Sequence, residues 1–148
     1  MEEKHKFHYP LRVRYVETDA QARVFFGNYL TYFDVAVTEY LRAIGFTYKD
    51  MLHADMDMFY VEASCQYKGA SQFDDLLHVH ARISHIGKTS FTFEFEIYTQ
   101  PDDKLITTGQ IIAVAVDQKT EKPMRVPDAF RQSVIEFEGD PSIEHPNG

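Results

Sequence analysis

Chemistry in this sequence concentrates in one stretch, Tyr15–Tyr29, which reads YVETDAQARVFFGNY. Two acids, Glu17 and Asp19, precede Arg23 and the apolar run Val24, Phe25 and Phe26. A carboxylate set against an apolar wall is shielded from water, and such acids are candidates for general-base or nucleophilic work. Asp19 stands nine positions before Asn28, too far away to cap a helix that begins there. The first amides of that helix lack intrahelical partners, so they form a site for an anion or a developing oxyanion. A carboxylate beside an oxyanion site is equipment for acyl transfer. The plain structural alternative makes Asp19 an Asx-type turn residue whose side chain bonds only its own loop.

Other reactive side chains are weaker candidates. His78 and His80 lie two apart in a strand-like run and share a face, but no acid or third histidine nearby in sequence completes a ligand set, so no metal is expected. Cys65 lies mid-strand among mixed neighbours and reads as a packed thiol.

The elements that position these residues follow from periodicity. His8–Tyr15 alternates, with Leu11, Val13 and Tyr15 on one face and Arg12 and Arg14 on the other, as in a half-buried strand whose Pro10 places it at an edge. From Asn28 to Ile44, apolar residues recur at steps of three and four, predicting the dominant helix, with Asn28 as N-cap and Gly45 as its stop. Residues 47–55 suggest a short helical turn. Strands follow at 58–67, 76–85, 90–99 and 105–116, the last two joined antiparallel through Pro101–Asp103. Ile111–Val116 is nearly continuous apolar sequence, as in a strand covered on both faces. A final helix over Pro127–Phe137 reads as structural, as does the segment from 125 that leads into it. One helix followed by clustered strands indicates an α+β domain whose sheet buries the helix stripe.

Composition sets the outer limits. The chain has 148 residues and a mass of 17.2 kDa, enough for one domain. Residues 1–148 therefore form a single unit with a core of about 8–137 and polar tails at 1–6 and 140–148. With 15 basic and 23 acidic residues the net charge is −8, the wrong sign for nucleic-acid binding. A single cysteine excludes an intrachain disulfide, and no apolar stretch approaches a membrane span. A reducing cytoplasm is the expected compartment.

The run Arg14–Phe33, with its Thr18–Asp19 pair, hydrophobic stretch and Tyr32–Phe33 on the helix, resembles the signature of the 4-hydroxybenzoyl-CoA thioesterase family of the hotdog fold. Glu62–Tyr67, Phe73–Leu76 and Gly87–Phe91 are similar to later family segments, in the same order. The resemblance implies a long helix wrapped by a curved antiparallel sheet, a homodimer or homotetramer, and an acyl-CoA substrate bound between subunits without a cofactor. It implies Asp19 as nucleophile or general base, with the Phe26 backbone N–H polarising the thioester carbonyl. Val24 and Phe25 would wall the substrate, while Arg23, Lys88, Thr89 and Ser90 would meet CoA, with Lys68 and Arg82 as further cations. Arg23 has two other outlets, solvent or an ion pair with Glu17. Some relatives place the acid on the helix, which makes Asp34 and Glu39 rivals. This chain departs from the family in having Ala22 where many members have Gly, and Phe26 where some have His. A non-catalytic acyl-CoA or lipid-binding member is the alternative reading. A hydratase would need an Asp–His pair, and no histidine lies between Asp19 and Asn28.

Overall fold

The computed structural model describes residues 5–145. The dominant helix is α1 (Asn28–Ile44), followed by a short α2 (Tyr48–His53) and a late α3 (Asp128–Glu138). Five strands, β1 (Phe7–Arg12), β2 (Met56–Tyr67), β3 (Leu76–Ile86), β4 (Ser90–Thr99) and β5 (Lys104–Asp117), form one antiparallel sheet in the order β1-β3-β4-β5-β2. This is the α+β hotdog arrangement of one long helix against one sheet. Strand alternation builds the contact face: Leu77, Val79, Ala81 and Ile83 of β3, and Phe91, Phe93, Phe95 and Ile97 of β4, are buried with Phe33, Ala36, Val37 and Tyr40 of α1. Phe33 stacks on Phe95 with ring centroids 4.3 Å apart. That approach requires Gly109 on the neighbouring strand, because a Cβ there would lie 2.5 Å from both the Phe33 ring and the Ser64 carbonyl oxygen.

The end of α1 is closed by Gly45 in the left-handed conformation, with the Phe46 amide donating back to Leu41 O. Its start differs from expectation by one residue. Gly27 is the N-cap, and no side chain caps the helix. Asn28 instead sends its Nδ2 to Glu17 O at 2.9 Å, fastening the preceding loop to the helix.

Three further expectations are corrected. The first strand stops at Arg12, and Tyr15 lies exposed in a 3₁₀ turn against Phe73, because the chain must leave the sheet there to enter the loop. On β5, Ile112 and Val114 are only half-buried, so within one chain the outer face of that strand is partly open. The expected tails lie outside the described residues at 1–4 and 146–148, but their inner parts are folded onto the body. Ile143 joins the core and His145 N donates to Ile86 O. At the C-terminal end the anchor is Arg131, a buried guanidinium that needs acceptors and takes Val126 O, Gly87 O, Lys88 O and Glu144. No helix among the described residues is long and apolar enough to cross a membrane.

Candidate active site

The loop between β1 and α1 doubles back on itself. Asp19 N donates to Arg23 O, Phe25 N donates to Glu17 O, and Thr18 bridges Val24, so residues 17–19 run antiparallel to 23–25. Asp19 stands at the tip. Its Oδ1 accepts from the Gln21 amide at 2.8 Å, the bond of an Asx turn, and among the described residues Oδ2 accepts none. Ala22 completes the turn with φ of 63°, a conformation in which glycine is unstrained and alanine is not. That geometry explains why glycine suits this position.

Glu17 holds the base of the loop. It is buried at 7% exposure, and its carboxylate accepts from the Arg14 amide, the Arg14 guanidinium and the Tyr32 hydroxyl. Desolvation alone would raise its pKa, but the Arg14 and Tyr32 hydrogen bonds and the Arg14 charge outweigh it and hold the carboxyl below its ordinary value. Its carbonyl accepts from both Phe25 N and Asn28 Nδ2. Sequence reasoning weighed Glu17 as a partner for Arg23; the structure pairs it with Arg14, and Arg23 is exposed with no ion pair among the described residues. Glu17 also went unnoticed as a loop anchor, since its bond to Tyr32 spans 15 positions.

Beyond the tip, Phe25 and Phe26 are exposed and in mutual contact, with centroids 4.7 Å apart, and Phe26 is 62% exposed. Tyr67 of β2 packs edge-on against Phe26 and donates its hydroxyl to Phe26 O at 3.0 Å. Val24, expected at the wall, is instead in the core at 5% exposure, with its amide donating to Ser71 O. Among the described residues the Phe26 and Gly27 amides donate to no protein acceptor. They therefore present two N–H groups at the positive end of α1.

Lys88, Thr89 and Ser90 do not meet this loop within the chain. The loop is tied to residues 71–75 through Val24 N to Ser71 O and Val13 N to Asp75 O, just before β3 begins. The Lys88 turn follows the far end of β3, whose eleven residues span about 36 Å. Lys88 is exposed, and its carbonyl oxygen is fixed by Val126 N and Arg131. Of the other cations, Lys68 is exposed, whereas Arg82 is occupied with Glu94 at 3.1 Å.

The rival acids have local partners. Asp34 accepts from the Tyr60 hydroxyl at 2.7 Å, and Glu39 is ion-paired with Arg42. Burial pushes the Cys65 thiol up, away from the thiolate that reactivity needs. His78 and His80 share a face as their spacing requires, and the structure adds His8 from β1, a third histidine that sequence distance concealed.

A family model described as the thioesterase superfamily matches residues 21–106, a span that includes Phe26 and the Lys88 turn and begins two positions after Asp19. The acyl-CoA thioesterase YbgC of Haemophilus influenzae is 31% identical over 122 residues, covering 82% of this chain and 88% of its own. Among solved structures, the hypothetical protein AQ1494 of Aquifex aeolicus superposes with a TM-score of 0.80 at 29% identity, covering 86% of this chain and 98% of its own. A DHNA-CoA thioesterase from Staphylococcus aureus shares the fold, with a TM-score of 0.80 at 23% identity over 90% of this chain and 94% of its own.

Proposed function

The chain belongs to the thioesterase superfamily, and from that premise we propose that it hydrolyses an acyl-CoA to the free acid and CoA, with Asp19 as the reacting carboxylate. The observation that carries this reading is the union, in one pinned loop, of a carboxylate oxygen without a protein partner and two undonated amides at the start of α1. The Asp19 carboxylate attacks the thioester carbonyl carbon, or takes the proton from a water that does. In either route negative charge grows on the carbonyl oxygen, where the Phe26 amide and the helix end stabilise it. The C–S bond then breaks and CoA leaves as the thiolate. Where Asp19 itself attacks, a water then hydrolyses the acyl–Asp19 anhydride, which frees the acid and restores the carboxylate. Where Asp19 is the base, the acid forms directly and the proton on Asp19 passes to the thiolate. Phe25, Phe26 and Tyr67 supply the apolar surface beside the reacting centre, and the exposed Arg23 is the loop's cation for a CoA phosphate in this reading.

A second copy completes the site in this reading. β2 is a 12-residue edge strand, and Phe59, Tyr60, Val61 and Tyr67 are exposed along it. A long apolar edge of this kind is a template for pairing. Antiparallel pairing of two β2 strands about a two-fold axis reverses the partner's sheet. The partner's Lys88 turn then lies at the end where this chain carries Asp19, which supports a CoA site shared between subunits.

Thiol release from short, long and aromatic acyl-CoAs tests the assignment. Turnover by the wild type and by Glu39→Gln, with loss in a folded Asp19→Asn variant, is the expected pattern. Full activity in Asp19→Asn would overturn the role of Asp19 and bring Asp34 and Glu39 forward. Stoichiometric acyl-CoA binding without thiol release would favour the ligand-binding alternative. Val61→Lys, which places a charge on the β2 edge, is expected to yield monomers by light scattering and to lower activity with them.

A further inference from the structure

The outer face of the sheet, opposite the face that packs on α1, carries three histidines that the proposed reaction does not use. His78 and His80 occupy alternate positions on β3, between the core residues Leu77, Val79 and Ala81. His8 lies directly across from His80 in the β1–β3 register and one diagonal from His78. The His8 ring stacks on His78 with centroids 4.4 Å apart and lies 5.1 Å from His80. One ligand nitrogen from each residue can be chosen so that all three fall within 4.8 Å of one another.

From this geometry we infer that His8, His78 and His80 bind a divalent transition-metal ion of the Zn²⁺ class, which clamps the edge strand β1 onto β3. Zn–N bonds of about 2.0–2.1 Å set tetrahedral ligand nitrogens about 3.4 Å apart. The rings therefore close by about 1.4 Å, within reach of side-chain rotation on a regular sheet. Three imidazoles without thiolate select zinc, nickel or copper over magnesium or calcium, and water takes the fourth position. Outer-sphere acceptors are present as well. Glu96 lies opposite His80 in the β3–β4 register, and the Tyr98 ring packs edge-on to His80 while its hydroxyl donates to Glu96.

The sequence around His8 gives such a clamp a purpose. β1 has only six residues, and Pro10 within it cannot donate to the ladder, so this edge is held by few backbone bonds. The same strand runs directly into the loop that carries Asp19. An ion joining β1 to β3 opposes fraying at that edge, because a ligand bound only by the folded state stabilises it.

Calorimetric titration of untagged, chelator-stripped protein with Zn²⁺, and with Co²⁺ read by its visible d–d absorption, tests the site. The expected result is one Zn²⁺ per chain, a tetrahedral Co²⁺ spectrum and a higher Tm with zinc. His8→Ala and His78→Gln are each expected to weaken binding by about tenfold or more and to abolish the Tm gain, while His53→Ala, an exposed change on α2, leaves both unchanged. His8 is exposed, so its variants are expected to fold; circular dichroism checks this, and His8→Gln provides a second, closer replacement. No zinc binding, binding indifferent to His8, or equal binding of Mg²⁺ would overturn the inference. Thioester hydrolysis enters none of these readouts, so the metal site and the proposed reaction stand or fall separately.

Discussion

Glu17 and Glu138 are buried to nearly the same degree, at 7% and 8% exposure, and each accepts a hydrogen bond from a tyrosine of α1. Those tyrosines, Tyr32 and Tyr40, lie about 12 Å apart along the helix at 1.5 Å per residue. The two carboxyls nevertheless shift in opposite directions. Desolvation pushes Glu138 up, and its one strong local donor, Tyr40, together with the more remote charges of Arg82 and Lys6, fails to reverse it. At Glu17 desolvation is outweighed by Arg14, which brings a guanidinium and a backbone amide, and by Tyr32. Accessible surface alone does not decide charge here; how deeply each carboxyl is set and the number and charge of its donors do. The consequence is a division along one helix. Near its start an ionised glutamate pins an exposed loop beside undonated amides, and near its end a carboxyl closes the core between α1, α3 and β3.

The largest expected effects would cross over between the two regions. Asp19→Asn is expected to lower kcat by about 10²–10⁴-fold while leaving the urea midpoint unchanged. Tyr40→Phe is expected to do the reverse. It strips the hydrogen bond from Glu138 and removes the acceptor that Ile83 N uses, costing about 1–3 kcal/mol in urea denaturation with kcat intact. Because the Tyr40 hydroxyl favours the ionised carboxyl, that loss should be greater at neutral pH than at acid pH. Parallel loss of activity and stability in both variants would dissolve the division.

Glu17→Gln sharpens it further, with an expected cost of about 1 kcal/mol, since the amide keeps an acceptor but loses the charge. The pH dependence is the clearer readout. A carboxyl held below its ordinary 4.5 in the folded state binds protons more readily when unfolded. The stability it adds is therefore complete above the unfolded value and is lost as pH falls through the folded one. The acid limb of a Tm-against-pH curve should be shallower in Glu17→Gln than in the wild type. Glu138, with its raised value, carries the opposite sign: its share is present below the unfolded value and is lost as pH rises through the folded one.

What was legible in the sequence was local. The 3.6-residue recurrence of Leu30, Phe33, Val37, Leu41 and Ile44 placed α1 to within one residue at its start, and the alternation of Phe91, Phe93 and Phe95 assigned the buried face of β4. Chain order said less about pairing. β1 lies beside β3, and β2 closes the far edge beside β5, because those positions depend on contacts between distant segments. The same distance hid Glu17 from Tyr32, His8 from His78 and Gly109 from Phe33. The Asp19 loop was visible through its residue types and its resemblance, but its internal Asx bond and the withdrawal of Val24 into the core required the hairpin path of the backbone. Lys88 was grouped with Asp19 by family likeness, and a whole strand separates them within one chain.

The smallest effect probes the strain at the tip of that loop. Ala22 holds φ at 63°, where a Cβ crowds the following carbonyl at a cost of about 1–2 kcal/mol. Glycine removes the crowding but gives the unfolded chain more freedom, which returns about 0.5–1 kcal/mol. The net expectation for Ala22→Gly is a gain of about 0.5 kcal/mol, raising Tm by about 1–2 °C for a domain of this size. The substitution leaves the Asp19–Gln21 bond and the Phe26 amide in place, so kcat should hold. A fall in kcat together with a higher Tm would show that the strained alanine sets the aim of the Asp19 carboxylate, and the loop would then trade stability for reactivity at Ala22 as well as at the undonated start of α1.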